Sequence, residues 1–239
     1  MIDNLSIVTN SHSSAKDVWE MFWRQIRKHL PFLKHYFCSD TIQTLWTTDE
    51  QIHFLRYDQE DPFFKQYVDC LKKVQTKYVL TLFEDHFIYE NIDEEKIQRL
   101  VNFLDNSNYD FIRLIRSDVP DENYIDKDIL KINPNQRYFF STQPTIWNRE
   151  ILIECIDESK IKSVFQEPYV SEMLRRFGVK GACVYAGEPP AGRNHYWSTT
   201  YFPHIEGIAK GKWIGGDYRN ILEPLWKEYG IDPNIRGVK

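Results

Sequence analysis

The sequence lacks long hydrophobic runs and an excess of basic residues. No stretch approaches the roughly 18 to 20 consecutive apolar residues that a transmembrane helix needs. The segment that begins at Met1 has no basic stretch followed by an apolar one, so we expect no signal peptide. The formal net charge is −5, whereas a surface that tracks a phosphate backbone needs many lysines and arginines. These absences predict a soluble, cytoplasmic protein that does not bind nucleic acid.

Cysteine is scarce, and its four copies lie far apart in the chain. They are Cys38, Cys70, Cys155 and Cys183, and no C-x-x-C pair occurs among them. A zinc site or a disulfide framework requires closely spaced or regularly patterned cysteines, so neither is predicted. Free cysteine in a chain of this size is usually buried as a small apolar side chain. We therefore expect four reduced thiols in the core.

Glycine-rich phosphate-binding motifs are absent as well. The sequence contains neither a P-loop nor the G-x-G-x-x-G turn of dinucleotide-binding proteins. The loop that follows the first apolar run, from Asn10 to Ser14, has no glycine, and Lys16 is the only lysine close to it. A G-x-S-x-G elbow is missing too, which argues against a Ser-His-Asp hydrolase.

The first half of the chain alternates short apolar runs with amphipathic segments. Apolar residues at three- and four-residue spacing mark one buried helix face before Pro31, and Asp61 followed by Pro62 is typical of a helix start. The predicted elements are strand Leu5–Asn10, helix Ala15–Leu30, strand His35–Asp40, strand His53–Tyr57, helix Pro62–Val74, strand Tyr78–Phe83, helix Asp93–Leu104 and strand Asp110–Ile115.

This alternation predicts an α/β fold, with one domain that has a mostly parallel central sheet and helices on both faces. The second half is less regular. There we expect a polar surface segment from Val119 to Asn135, a strand with a proline break from Tyr138 to Trp147, helices Arg149–Ile156 and Glu167–Phe177, and ordered loops from Val184 onward.

Polar clusters follow four of the predicted strands. In a parallel α/β sheet, ligands bind beyond the carboxyl ends of the strands, where the strand order reverses. We therefore expect these clusters to line one polar cleft at the same edge of the sheet. The clusters are Thr9-Asn10-Ser11, Ser39-Asp40, Tyr57-Asp58 and Glu84-Asp85-His86.

The turn Glu84-Asp85-His86 is the most distinctive of these clusters, because it follows the most apolar predicted strand. Two adjacent carboxylates and an imidazole at that point are costly unless they are solvated, paired or bound to a cation. A divalent ion such as Mn²⁺ or Mg²⁺ would satisfy the carboxylates and bridge to a diphosphate. A solvated strand end is the alternative explanation, and phosphoryl-transfer enzymes also contain acidic turns.

The order of elements up to this turn resembles the GT-A fold of nucleotide-diphospho-sugar transferases, which is Rossmann-like. The segment from Tyr78 to His86 is similar to that family's strand and its D-x-D metal turn. The resemblance covers about residues 5 to 185 as topology and only short stretches as motif. It implies a glycosyltransferase that moves a sugar from a nucleotide-sugar donor to a hydroxyl of a carbohydrate or glycoconjugate acceptor, in surface polysaccharide or glycoconjugate synthesis. The turn reads E-D-H rather than D-x-D, so the need for a metal stays open.

The resemblance also implies roles for individual residues. Thr9, Ser11 and Asp40 fall where the family holds the nucleotide base and ribose, and Asp85 falls where it holds the donor's metal. Glu167, at the start of a late helix, is placed like the acid that takes the acceptor proton in inverting members. Glu172 is the alternative base, and a helix N-terminal acid favoured by the helix dipole is the structural explanation for Glu167.

Other candidates follow from side-chain chemistry. The amide of Gln143 suits hydrogen bonds to sugar hydroxyls, Arg193 suits a phosphate, and His86 and His195 suit a metal shell. Trp147 fits either a sugar-binding platform or the core. The full predicted donor-binding set is Thr9, Asn10, Ser11, Asp40, Asp58, Glu84, Asp85, Gln143 and Arg193, and the metal set is Asp85, His86 and His195.

Two other functions stay open from the sequence. A nucleotidyltransferase would need a glycine-rich loop with a basic residue after the first strand, which is missing. A non-catalytic nucleotide-sugar or glycan-binding module would keep the fold without turnover, and the irregular E-D-H turn favours it. Within the single domain, we expect the nucleotide-binding part at about residues 1–118 and the acceptor side with a C-terminal cover at about 119–239. A lipid-linked acceptor would place the protein at the membrane surface.

Overall fold

The structure is a computed structural model that describes residues 2–42, 52–115, 124–157, 167–185 and 201–239. Its strands are β1 Leu5–Asn10, β2 Lys34–Ser39, β3 Ile52–Arg56, β4 Tyr78–Phe83, β5 His86–Ile88, β6 Phe111–Arg113, β7 Tyr124–Asp126, β8 Ile129–Lys131, β9 Thr145–Asn148, β10 Gly181–Val184, β11 His204–Glu206, β12 Ile208–Ala209 and β13 Lys212–Trp213. Its helices are α1 Lys16–His29, α2 Phe63–Leu71, α3 Glu94–Asp105, α4 Arg149–Asp157, α5 Glu167–Arg176 and α6 Gly215–Tyr229.

A large twisted sheet forms the centre of the described residues. Its nine strands have the order β3-β2-β1-β4-β9-β6-β10-β8-β7. The pairs of β1 with β2 and β4, of β2 with β3 and of β6 with β10 are parallel, whereas β9 and β8 run antiparallel to their neighbours. Seven of the nine strands therefore point the same way. This confirms the predicted α/β fold with a mostly parallel central sheet.

Helices cover both faces of the sheet, as predicted. On one face α1, α3 and α6 bury their apolar residues in a core built around Trp19, Phe22 and Trp213. On the other face α2, α4 and α5 pack in a second core around Phe111, Phe139 and Trp147. Apolar residues at helical spacing form the inner stripe of each helix, and burying that stripe supplies most of its stability.

The helix starts show both a confirmed prediction and a local correction. Helix α3 begins within one residue of its predicted start, and the Asp93 side chain caps it by accepting hydrogen bonds from the amides of Glu95 and Lys96. The predicted cap of α2 is wrong, because Pro62 occupies the cap position and no side chain caps that helix. The carboxylate of Asp61 instead contacts Lys65 Nζ at 2.6 Å.

The second half differs from the prediction in three places. The strand predicted from Tyr138 shrinks to β9, and the part of the polar segment that is described forms the edge hairpin β7–β8. The tail, predicted as loops, contains α6. Trp147 is buried against the ring of Phe111, with ring centroids 4.1 Å apart, so it belongs to the core and does not form a sugar platform.

All four cysteines are buried and free, as predicted. The two on β2 and α2, Cys38 and Cys70, lie close enough for a hydrogen bond between their thiols. Among the helices of the described residues, none is long and apolar enough to span a bilayer.

We expect Gly181→Ala to lower the free energy of unfolding by at least about 1–3 kcal/mol. A Cβ at this position would overlap the ring of Phe111, which is fully buried against Phe139 and Trp147. Urea unfolding followed by circular dichroism measures the change. Gly216→Ala is the matched control, because its Cβ would meet nothing closer than 3.7 Å. Equal stability of the two variants would contradict the tight packing at Gly181.

Candidate active site

The strand order reverses at the junction of β1 and β4. From β1 the chain adds β2 and then β3 on one side, and β4 then pairs with β1 on the other side. Asn10 at the end of β1 lies opposite Phe83 at the end of β4, so Ser11 and Glu84 leave the sheet side by side. A crevice forms at such a reversal, and ligands of open α/β sheets bind there. The predicted convergence of polar strand ends is thus present at this edge.

Three hydrogen bonds hold Ser11 at the floor of the crevice. Its amide donates to Cys38 O at 2.9 Å, and its carbonyl accepts from the hydroxyl of Tyr57 at 2.6 Å. Its own hydroxyl oxygen accepts from Trp19 Nε1 at 2.6 Å. Because all three bonds come from different elements, the start of this loop is fixed before any ligand arrives.

The loop after Ser11 is closed by Asp40. One carboxylate oxygen accepts from the Ser13 amide at 2.7 Å, and the other accepts from the Ser13 hydroxyl at 2.6 Å. His12 lies 3.8 Å from the same carboxylate, and its Nδ1 accepts from the Ser14 amide. Asp40 is therefore engaged in shaping the loop, and its pKa is lowered by these hydrogen bonds and by His12 although partial burial opposes them. A direct role of Asp40 in holding ribose would require these bonds to break.

Glu84 and Asp85 form the turn between β4 and β5, and both are half-buried. Burial raises the pKa of Glu84, while the Ser11 side chain, Arg236 and His12 act in the opposite direction. Burial raises the pKa of Asp85 well above its usual value, and the negative charges of Glu206 and Glu84 add to that effect. Both shifts favour the protonated form of the carboxyl, and a nearby cation or hydrogen-bond donor favours the charged form.

Glu206 joins this acidic turn from the C-terminal region. Strand β11 pairs with β5 so that Glu206 lies opposite His86, and the Gly207 amide donates to Asp85 O at 2.9 Å. The sequence analysis missed Glu206, because nothing in its local pattern indicates that the tail returns to pair with the strand after the turn. Glu84, Asp85 and Glu206 are called the acidic turn cluster below.

His86 does not fit its predicted role as a metal ligand. Its side chain is buried, and its Nδ1 accepts a hydrogen bond from the Phe83 amide at 3.2 Å. The ring packs edge-on against His204 at 5.5 Å between centroids. Burial, with the nearby His204, lowers the pKa of His86 to about 3. The imidazole is buried because β11 pairs with β5 and covers it with His204, and all three residues of β5 are buried.

Three predicted donor-binding residues occupy other positions. The Thr9 side chain is fully buried and hydrogen-bonds His35 Nε2 at 2.8 Å, so it does not reach the crevice. Asn10 is buried, and its Nδ2 has no hydrogen-bond partner among the described residues. Asp58 is exposed, and its carboxylate accepts from the Glu60 amide in a local turn. Thr9 is therefore part of the buried hydrogen-bond network of β1 and β2, and Asp58 lies at the surface beyond β3.

Glu167 reaches the same edge of the sheet from α5. Its Oε1 accepts from the amide of Thr142 at 2.8 Å and from the Thr142 hydroxyl at 3.1 Å. Thr142 precedes β9, which runs antiparallel to β4, so it lies beside the carboxyl end of β4. Burial raises the pKa of Glu167, while Thr142 and Arg113 lower it and Glu206 raises it further. The charge coupling with Glu206 links this residue to the acidic turn cluster.

Glu172, the other predicted base, has different surroundings. It is paired with Arg175 at 2.8 Å and with Arg176 at 3.2 Å on the outer side of α5. These two arginines lower its pKa. A carboxylate held between two arginines on the surface is a poor proton acceptor, and it lies five residues from Glu167, on a different side of the helix.

The remaining predicted residues are Gln143, Arg193 and His195. Gln143 is half-buried beside Thr142, at the carboxyl edge. Arg193 and His195 lie outside the described residues. The structure adds a cation that the sequence analysis did not predict, Arg236. Its Nε donates to the carboxylate of Asp17 at 2.6 Å. The positive charge of Arg236 lowers the pKa of both Glu84 and Asp85.

The described residues do not contain a preformed cage of three or more metal-ligating side chains. The oxygen-only chemistry of the acidic turn cluster nevertheless suits Mg²⁺ or Mn²⁺, which are commonly held by one or two carboxylates together with ligand phosphates. Asp85 is the best candidate ligand, because the negative charges of Glu206 and Glu84 raise its pKa and a bound cation would offset them.

Comparison with known proteins gives structural relatives only. No family model matches the sequence, and no curated protein matches it. The structure of TarS from S. aureus, a GT-A glycosyltransferase, superposes with a TM-score of 0.52 at 14% identity and covers 77% of this chain. The chain spans 58% of the length of that TarS structure.

Two further structures have similar scores. TarS 1-349 in complex with UDP-GlcNAc gives a TM-score of 0.51 at 14% identity, over 94% of this chain and 66% of that TarS fragment. A nucleotidyl transferase from Methanothermobacter thermautotroptrophicus gives 0.51 at 12% identity, over 78% of this chain and 89% of its own. Both kinds of transferase therefore share this architecture. The chain has a nucleotide-diphospho-sugar transferase-like fold.

Proposed function

We propose that the protein is a glycosyltransferase that binds a nucleotide-diphospho-sugar in the crevice between β1 and β4. The observation that carries this proposal is the position of the half-buried turn Glu84-Asp85, at the reversal of strand order. Carboxylates at this depth are costly in an unliganded protein, and such groups concentrate at functional sites. The fold shared with TarS in complex with UDP-GlcNAc supports a donor of this class.

The loop after β1 favours sugar transfer over nucleotidyl transfer. A triphosphate needs free backbone amides to cradle its oxygens. Here the Ser11 amide donates to Cys38 O and the Ala15 amide donates to His12 O. The Ser13 amide donates to Asp40, and the Ser14 amide donates to His12 Nδ1. The carboxylate of Asp40 thus already accepts the hydrogen bonds of Ser13 that a phosphate would need. Few backbone amides of this loop remain free to bind a triphosphate.

Glu167 is the proposed base for the acceptor hydroxyl. Proton transfer in the transition state needs a carboxylate within hydrogen-bond reach, with a pKa brought toward neutrality. Burial raises the pKa of Glu167, and the two hydrogen bonds from Thr142 fix its Oε1 and leave Oε2 for the acceptor. The acceptor is a carbohydrate or glycoconjugate, and the product would be a surface polysaccharide or a related glycoconjugate.

A divalent metal, Mn²⁺ or Mg²⁺, is proposed as an aid to donor binding. Asp85 would hold it, with Glu84 or Glu206 as a second oxygen ligand. When bound, such an ion would neutralise the charge of the leaving diphosphate. The other roles are those of protein side chains. Ser11 and Tyr57 shape the crevice, and Glu167 takes the proton of the acceptor hydroxyl.

A donor titration tests the proposed function. UDP-, GDP-, CMP- and dTDP-sugars are added with and without Mn²⁺, and the thermal midpoint and the release of nucleotide are measured. A glycosyltransferase is stabilised by one nucleotide family and releases that nucleotide slowly. Stabilisation without release, even with candidate acceptors, would identify a binding module. Pyrophosphate release from a nucleoside triphosphate and a sugar phosphate would identify a nucleotidyltransferase, and no stabilisation by any donor would refute the proposal.

We expect Asp85→Asn to abolish donor-linked stabilisation. At a donor concentration about 100 times Kd, that stabilisation amounts to about 5–10 °C in the wild type. The amide keeps the shape of the side chain and loses the charge that a cation or donor would meet. Asp58→Asn is the matched control, since Asp58 is exposed and its turn contact is also available to asparagine. Retained donor stabilisation in Asp85→Asn would contradict the proposed site.

The same variant has a predicted pH dependence without donor. The folded pKa of Asp85 lies above its unfolded value, so the folded state binds this proton more tightly, and the wild type loses that contribution as pH rises through the folded pKa. Asp85→Asn removes the titrating group. Its unfolding midpoint should therefore match the wild type in acid and exceed it by a few degrees at neutral pH, since 1 kcal/mol corresponds to about 2–4 °C. A constant difference across pH would contradict the assignment.

Glu167→Gln should lower transfer by about 10²–10⁴-fold while donor binding is retained. The glutamine oxygen can still accept both hydrogen bonds from Thr142, so the loop stays in place. Glu172→Gln, on the same helix but paired with two surface arginines, is the control and should transfer normally. Rates are measured with saturating donor and acceptor. Transfer at the wild-type rate in Glu167→Gln would rule out this residue as the base.

A further inference from the structure

A second cavity lies at the opposite edge of the central sheet. Asn108 and Tyr109 precede β6, Lys180 precedes β10 and Lys131 ends the antiparallel strand β8, so all four meet at the amino end of the parallel strands. The cavity has a volume of about 580 Å³, which falls within the usual size range of small-molecule sites. Nothing in the proposed glycosyl transfer uses it.

Two lysines give this cavity its charge. Lys131 lies opposite Ala182 in the β8–β10 ladder, and Lys180 is two residues before Ala182. The two lysines are therefore diagonal neighbours on one face, with backbone positions roughly 7–8 Å apart. Within the described residues neither ammonium group has a hydrogen bond or an ion pair, whereas Lys65 and Lys72 each contact a carboxylate within 2.9 Å.

The carboxylates near the cavity are already engaged. Asp110 accepts a hydrogen bond from the Lys180 amide at 2.8 Å. The guanidinium of Arg175, which also lines the cavity, contacts Glu172 at 2.8 Å. No aspartate or glutamate is among the described lining residues. In a chain with a net charge of −5, two neighbouring lysines without acidic partners make a local site for an anion.

The walls of the cavity are fixed by backbone hydrogen bonds. At the end of α5, the Val179 amide donates to Leu174 O and the Gly178 amide donates to Arg175 O, with Gly178 at φ +68°. This is a Schellman motif, and it favours glycine because the left-handed conformation crowds a Cβ. Arg175 Nη1 donates to Pro134 O at 2.9 Å, which ties the opposite loop to the same helix. The site is therefore formed in advance of a ligand.

The lining contains both polar and apolar residues. Asn108, Tyr109 and Asn135 line the cavity together with the two lysines, and so do the buried residues Ile132 and Phe139. We propose that this cavity binds a ligand with a phosphate group and an apolar or aromatic part. The two ammonium groups would bind the phosphate, and Tyr109 and the apolar wall would contact the remainder. Such a phosphate belongs either to a soluble phosphate ester or to the headgroup of an anionic lipid.

Two experiments test this proposal. Calorimetric titration measures the binding of phenyl phosphate and of inorganic phosphate. Sedimentation measures binding to vesicles of phosphatidylglycerol, with phosphatidylcholine vesicles for comparison. All proteins carry Asp85→Asn, so that the proposed donor site does not contribute. We compare Lys131→Gln/Lys180→Gln with the control Lys34→Gln/Lys227→Gln, which removes the same charge from exposed positions outside the cavity. Each cavity lysine should account for about a tenfold change in affinity.

Saturable binding of phenyl phosphate, tighter than that of inorganic phosphate and lost in the cavity variant alone, supports a soluble ester. Sedimentation with phosphatidylglycerol vesicles only, again lost in the cavity variant alone, supports a lipid headgroup. Equal weakening in the control variant, wild-type binding by the cavity variant, or no binding to any probe would overturn the proposal. Because the donor titration is a separate experiment, failure here leaves the proposed transfer untouched, and failure of that titration leaves this site untouched.

Discussion

The parallel pairing of β1 with β4 is the constraint on which the site depends. Six residues of each strand are in register, from Leu5 opposite Tyr78 to Asn10 opposite Phe83. This register makes the loop after β1 and the acidic turn after β4 leave the sheet at the same level. Because β2 and β3 lie on the other side of β1, a crevice opens between the two loops and not beside them. A slip of one residue would turn every side chain of one strand to the opposite face.

The crevice contains groups that work against stability. Glu84 and Asp85 are half-buried next to Glu206, and burial raises the pKa of both residues of the turn. A protein selected for stability alone would place neutral residues there, because partly desolvated carboxylates repel each other and lose hydration. The loop of Ser13 is different, since its amide and hydroxyl are both satisfied by Asp40. On the side of the Ser13 loop, the polar groups are thus paired with each other. On the side of Glu84 and Asp85, the carboxyls form no ion pair with the part of the chain that the structure describes.

Charge is divided between the two ends of the sheet. The carboxyl edge concentrates Glu84, Asp85 and Glu206, whereas the amino edge places Lys131 and Lys180 beside a cavity. The overall charge of the chain does not show this division, because opposite local charges largely cancel in the sum. An acidic protein can therefore carry a local anion site, provided that neighbouring carboxylates are paired with other cations, as Glu172 is with Arg175.

Local patterns were sufficient for much of the fold. The helix from Lys16 to His29 and the strand from Tyr78 to Phe83 appear where apolar periodicity and apolar runs predict them, because both signals arise within a few turns of chain. The acidic turn after β4 was predictable for the same reason, as was the start of the helix near Asp93. The strand predicted from Tyr138 failed, because aromatic residues there pack in the core without forming a ladder.

The sequence by itself determined which segments of the first half become helices and strands, and it placed two carboxylates directly after the most apolar strand. Only the tertiary structure decided what those carboxylates meet. Pairing of β11 with β5 brings Glu206 to the turn, and the same pairing turns His86 into the core against His204. Contacts between segments so distant in the chain depend on the closure of the whole sheet and leave no trace in local periodicity. The edge at which the acidic turn opens followed from the sequence, and the neighbours that set its charge did not.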